Sequence, residues 1–154
     1  MIDKILSILS ILKKCQPAAR DAVLLFARLT IGWGFFQAGK GKLGRLDQVT
    51  GFFESLDIPA PGFHAVMVAN VEMIGGLMLL AGFLSRIAAI PLTIAMSVAY
   101  LTAHREEAFA SLGAFADEAP YAYLLVSLIV LVFGPGRASI DQIIKSRFGN
   151  KIAH

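Results

Sequence analysis

The stretch FHAVMVANVEMIGGLMLLAGFLSRIAAIPLTIAMSVAYLTA, Phe63–Ala103, decides the fold class: among its 41 residues only Glu72 and Arg86 carry charge. A soluble domain must show charge every few residues to cover its outer surface. A second stretch, Ala119–Gly136, carries none. Over the 154 residues, 56% are apolar and 16% charged, and mean hydropathy is +0.69. Fourteen glycines raise the apolar share further above that of soluble domains. These numbers exclude a soluble globular enzyme and a disordered chain. The expectation is an all-α integral membrane protein.

Length sets the architecture. A spanning helix takes about 20 residues, so the chain holds four spans with loops and a tail. The spans are expected at about residues 21–38, 63–84, 86–103 and 119–133, making residues 21–136 a four-helix transmembrane bundle. Only Ser85-Arg86 joins spans 2 and 3, which forces a tight antiparallel hairpin. Pro91, one turn into span 3, costs few internal bonds and bends the helix. Gly134-Pro135-Gly136 stops span 4. Between spans 1 and 2, Phe52, Phe53, Leu56 and Ile58 suggest a helix resting on the outer face of the bundle.

Residues 1–20 read as an amphipathic segment. Ile2, Ile5, Leu6, Ile8, Leu9 and Leu12 recur at helical spacing, opposite Asp3, Lys4 and Ser7, and Pro17 is expected to end this surface helix. As a signal peptide it is poor, because Ser7 and Ser10 interrupt the apolar run and Asp3 spoils its basic start. Residues 137–154 form a basic tail, with a short surface helix over Asp141–Phe148.

Charge placement orients the chain. Lys4, Lys13, Lys14, Arg20, Arg86, Arg137, Lys145, Arg147 and Lys151 fall on one side; Lys40, Lys42, Arg45 and Arg105 fall on the other. Nine against four puts both termini in the cytoplasm. This placement also reads the net charge of +3 as topology rather than nucleic-acid binding. Cys15 is the single cysteine, so an internal disulfide, a C-x-x-C pair and a cysteine-ligated metal are excluded.

Two ionisable residues lie inside spans. Arg28 sits about 10 Å from the cytoplasmic end and Glu72 about 18 Å deep. Each carries an insertion cost of about 2.5–3.5 kcal/mol unless it finds a partner. An Arg28–Glu72 ion pair is the expectation, either as a packing device or as the candidate catalytic site. Glycines 32, 34, 39, 75, 76 and 82 read first as close helix packing and second as room for a flat ligand. Trp33, Phe35, Phe36 and Gln37 run outward from Arg28 and suit the wall of a quinone or lipid pocket. Toward the outer face gather Gln37, Lys40, Lys42, His64, Tyr100, His104, Arg105, Glu118 and Tyr121. Among these, Lys42, His104, Gln37 and Phe36 are the candidate ligand-binding residues. His64 and His104, on antiparallel helices at similar depth, could ligate a b-type haem, but interfacial histidines are usually just solvated, and haem is the lesser expectation beside quinone. No phosphate-binding loop, nucleophile elbow or zinc motif is present.

Arg28-Leu29 with Gly32, Phe36, Gly39 and Lys42 resembles the opening pattern of the DoxX family. Glu72-Met-Ile-Gly75-Gly76, then Gly82-Phe-Leu-Ser-Arg86, is similar to that family's second span and turn. His104 and Gly134-Pro135-Gly136-Arg137-Ala-Ser139-Ile-Asp141 extend the resemblance over residues 20–142. It implies a four-helix inner-membrane protein of bacteria and, by association with quinol oxidase and thiosulfate:quinone oxidoreduction, a quinone-linked redox subunit. Electrons then come from a membrane or soluble redox partner. Two other readings stand beside it: a non-enzymatic anchor or assembly subunit for a partner protein, and a small-molecule permease that must oligomerise.

Overall fold

The computed structural model describes residues 2–148, all of whose regular elements are helical. In chain order they are α1 (Ile2–Leu43), α2 (Leu46–Ser55), α3 (Pro61–Ala81) and α4 (Ser85–Leu101). The short α5 (Arg105–Ala108) and α6 (Leu112–Asp117) follow, then α7 (Pro120–Phe133) and α8 (Ile140–Phe148). Two segments, Cys15–Leu43 and Pro61–Ala81, are long and apolar enough to cross a membrane; α4 and α7 are shorter apolar helices.

α1 departs from the sequence expectation at both ends. Pro17 lies inside it rather than ending a separate surface helix. A proline forfeits one main-chain bond and crowds the carbonyl four residues back, a local cost that an apolar helix can carry through. The facing of the side chains of residues 2–14 lies outside the described residues, as does Lys151 in the tail. At its other end α1 runs five residues beyond Ala38, which carries Lys42 onto the span's own helical wheel.

α3 ends where a glycine permits it. Gly82 adopts φ 67°, its N–H bonds to Leu79 O, and Phe83 N–H bonds to Met78 O, closing a Schellman-type cap. Pro91 lies within α4 without ending it.

α1 packs chiefly on α3 and α4 on α7; α3–α4 and α1–α7 contacts close the ring, and α2 lies against α3. Phe35, Leu79, Ala89, Leu92, Met96 and Val130 form the centre. Around them the outer faces are apolar: Phe26, Trp33, Phe63, Ile87, Ile94 and Val132 are all more than half exposed. Water would penalise each such side chain by about 1.5 kcal/mol or more, whereas hydrocarbon does not. The bundle has the surface of a membrane protein.

Glycines set the α1–α3 distance. A Cβ on Gly39 would stand 2.3 Å from Met73 N and 2.5 Å from Ala69 O; one on Gly76 would stand 2.5 Å from Phe36 N. These neighbours are backbone atoms that cannot move aside. Small residues at this interface let the two helices approach more closely than any side chain would allow.

Candidate functional site

The register of α1 against α3 determines which charges meet. Gly32 lies opposite Gly76 and Leu80, and Gly39 opposite Ala69 and Met73. Glu72 is therefore level with about Ala38, and Arg28 with about Gly82, roughly 15 Å away along the axis. Helical side chains lean toward their own N-terminus. On antiparallel helices Arg28 and Glu72 therefore lean apart, whereas Lys42 and Glu72 lean together. Lys42 Nζ donates to Glu72 Oε2 in an ion pair. The Glu72 side chain is 2% exposed and that of Lys42 29%.

The expected Arg28–Glu72 pair is thus replaced by Lys42–Glu72. Arg28 is buried at the far end of the bundle, where Nη1 donates to Pro135 O at 2.7 Å and Nη2 to Ala138 O at 2.8 Å. It clamps the chain leaving α7. That segment is locked further by Asp141, whose carboxylate accepts from Leu84 N at 2.7 Å and Ser85 N at 3.0 Å. Asp141 thereby caps α4 from outside its own sequence. Ser139 Oγ donates to Gly136 O and accepts from Gln142 N. Gly134-Pro-Gly-Arg-Ala-Ser-Ile-Asp141 is a tertiary latch, and Arg28 belongs to it.

Glu72 and Lys42 border a cavity of about 310 Å³. Phe35 and Ala38 from α1, Val68 from α3, Met96 and Ala99 from α4 and Tyr123 from α7 supply its inner wall. Phe52 and Phe53 of α2, with Leu56 just beyond, form a cover. His104 and Thr102 stand on the border where α4 ends. His104 Nδ1 lies 2.5 Å from Glu118 Oε2, and its ring packs edge-on to Tyr100. Tyr100 is fixed in turn by a 2.7 Å hydrogen bond to Phe115 O and by stacking on the Phe115 ring at 4.3 Å. The cavity is apolar with a few convergent polar groups, the usual make-up of a small-molecule site.

Of the ligand-binding residues expected from sequence, Lys42 and His104 border this cavity. Phe36 and Gln37 do not. Phe36 turns toward Trp33, with ring centroids 5.4 Å apart, and Gln37 is exposed. Phe35 takes the place expected for Phe36, because it lies seven residues from both Arg28 and Lys42 and shares their face. Its ring meets Tyr123 edge-on at 4.8 Å. Gly34 makes room for Tyr123: a Cβ there would stand 2.5 Å from the phenol oxygen. His64 bonds through Nδ1 to Ala60 O at 3.2 Å and does not line the cavity with His104. No cluster of three or more His, Cys, Asp or Glu suited to a metal occurs among the described residues.

The model of the DoxX family matches residues 23–105, over half of the chain and both polar partners of the cavity's ion pair. The chain belongs to the DoxX family. It is 35% identical over 130 aligned positions to an uncharacterized membrane protein of Mycobacterium tuberculosis, covering 78% of this chain and 80% of that one. It is 29% identical over 147 positions to an uncharacterized protein of Haemophilus influenzae, covering 90% and 93%. No solved structure matches it. Within the DoxX match lie Arg28, Lys42, Glu72 and His104; the latch at residues 134–141 falls beyond it.

Proposed function

We propose that this DoxX protein is a quinone-linked redox subunit of the bacterial inner membrane. In this reading α1, α3, α4 and α7 all cross the bilayer. α4 and α7, about 25 and 21 Å long, do so where the bilayer thins and where α5, α6 and the latch complete their ends. The excess of Lys and Arg on the side of the latch supports an orientation with both termini in the cytoplasm and the cavity in the outer half of the bilayer.

The observation that carries the reading is the apolar cavity bordered by a buried carboxylate paired with an ammonium. A quinone head group is flat and apolar, with two carbonyl oxygens. Converting it to the quinol takes up two electrons and two protons. Lys42 is placed to donate a hydrogen bond to one head-group oxygen, and Glu72 to exchange a proton with it. His104, paired with Glu118 at the border, is placed to pass protons between this site and the outer surface. The electrons come from a redox partner protein or a soluble reductant. Arg28 has no part in this chemistry.

The test is binding of a short-chain quinone to the purified full-length chain, followed by quenching of aromatic fluorescence. Wild type is expected to saturate. Glu72→Gln and Lys42→Met should weaken binding by tenfold or more, while Arg28→Lys, measured on its folded fraction, should bind normally. Saturation unchanged in both cavity variants would remove the site from quinone handling. A stoichiometric protein partner co-purifying with a chain that binds no quinone would favour the anchor reading.

A further inference from the structure

At the opposite end of the bundle the latch leaves a second cavity of about 510 Å³, whose charged residues are Arg20, Arg86, Arg137, Lys145, Asp21 and Asp141. The two carboxylates are engaged. Asp141 accepts from the N–H groups of Leu84 and Ser85, while Asp21 accepts from Arg137 N at 3.2 Å and lies 3.9 Å from Arg137 Nε. Four cations therefore face two carboxylates already committed to backbone donors. Directly beneath lies buried Arg28, bonded to carbonyls rather than to a carboxylate. The formal charge of the residues lining this cavity is thus +2, four cations against two carboxylates.

An apolar groove of about 440 Å³ adjoins it along α1 and α7. Ala19, Val23, Leu24 and Ile129 line the groove, and Arg20 and Phe133 line both spaces. Val23 and Phe133 are 67% and 58% exposed. On the other side, α8 leaves Ile140, Ile143 and Ile144 exposed beside Lys145, as in a helix lying at a membrane surface.

We propose that this end of the molecule binds one anionic phospholipid, its phosphate in the basic cavity and an acyl chain along the α1–α7 groove. The basic cavity recognises a phosphate monoanion by charge-assisted hydrogen bonds from Arg and Lys. A free phosphate satisfies the cavity but leaves the groove empty; a zwitterionic lipid fills the groove but brings its head-group cation into a cavity of net positive charge. Only an anionic lipid satisfies both. The site is independent of whatever occupies the outer cavity, because it shares none of that cavity's residues.

The experiment is native mass spectrometry of the full-length chain in mild detergent, titrated with phosphatidylglycerol, with phosphatidylcholine of the same acyl chains, and with inorganic phosphate. One phosphatidylglycerol is expected to be retained in preference to phosphatidylcholine, with the preference falling as salt rises. Arg20→Gln with Lys145→Gln, both exposed and neither making a latch bond, should reduce that preference on the order of tenfold. Val23→Ser should weaken phosphatidylglycerol but leave inorganic phosphate unaffected. Equal retention of the two lipids by wild type overturns the proposal, as does a preference that is insensitive to salt. Inorganic phosphate competing mole for mole with phosphatidylglycerol would make this a phosphate site without a lipid. If the double variant unfolds, the salt titration of wild type decides alone.

Discussion

Lys42 and Glu72 meet across the α1–α3 interface because each side chain leans toward the N-terminus of its own helix, and the two helices run antiparallel. The same lean separates Glu72 from Arg28. One geometric rule thus divides the buried charges between the Lys42–Glu72 cavity and the latch.

The Lys42–Glu72 pair predicts an asymmetry in stability. Lys42→Met strands a carboxylate that is 2% exposed, whereas Glu72→Gln leaves an ammonium with 29% access to solvent. Loss of one partner from a buried pair costs about 3 kcal/mol. The lysine variant should show most of that loss and the glutamate variant clearly less. Lys42→Met with Glu72→Gln should recover stability relative to Lys42→Met alone. Thermal unfolding in detergent, arranged as a double-mutant cycle, measures the coupling. Strict additivity would show that the pair does not form.

Gly39 predicts a packing defect with an internal control. Gly39→Ala places a methyl 2.3 Å from Met73 N, so α1 and α3 must separate and the Lys42–Glu72 pair must loosen. A destabilisation of about 2–3 kcal/mol is expected, with weaker quinone binding. Gly51→Ala in α2 meets nothing within 4 Å and should be neutral or stabilising by about 0.5–1 kcal/mol. Equal effects at the two positions would refute the close-packing account.

Arg28→Lys predicts a structural phenotype. Lysine carries its charge on a single nitrogen and cannot reach Pro135 O and Ala138 O together in the fork geometry of arginine. The expected loss is about 2–3 kcal/mol, from one or more hydrogen bonds to a charged group. Hydrogen exchange should rise selectively over residues 134–147. Slower exchange there, or a selective loss of quinone binding by folded protein, would assign Arg28 to the Lys42–Glu72 site instead.

Asp141→Asn should behave like loss of a helix cap. It removes the charge that accepts from Leu84 N and Ser85 N, at a cost of about 1 kcal/mol. Amide exchange is expected to accelerate in the first turn of α4, more than 50 residues away in sequence. Protection unchanged at Leu84 and Ser85 would contradict the cap.

His104→Ala should leave stability within about 1 kcal/mol, since the side chain is 29% exposed and its contact with Glu118 lies at the cavity's border. Exchange of protons between the cavity and the outer surface should slow, as read from the rate of quinol formation with a saturating reductant. An unchanged rate would take His104 off the proton path.

The sequence alone determined that this is an all-helical membrane protein, because uncharged runs such as Ala119–Gly136 have no other stable environment. It also identified Arg28 and Glu72 as residues needing a partner, since charge inside an apolar span is costly, and it gathered Lys42 and His104 in a polar cluster beyond the span ends. It placed Arg28 in the wrong pair because depth along a span says nothing about register or side-chain lean. The seven-residue series Asp21, Arg28, Phe35, Lys42 was legible and would have favoured Phe35 over Phe36 as the cavity wall. The chain beyond α7 was legible only as a stop signal. Its bonds to Arg28, Leu84 and Ser85 join residues 56 to 110 positions apart, and only the packed bundle brings them together. Composition determines which residues must leave water; the relative shift of two antiparallel helices, fixed by backbone contact at Gly39 and Gly76, decides which of them meet.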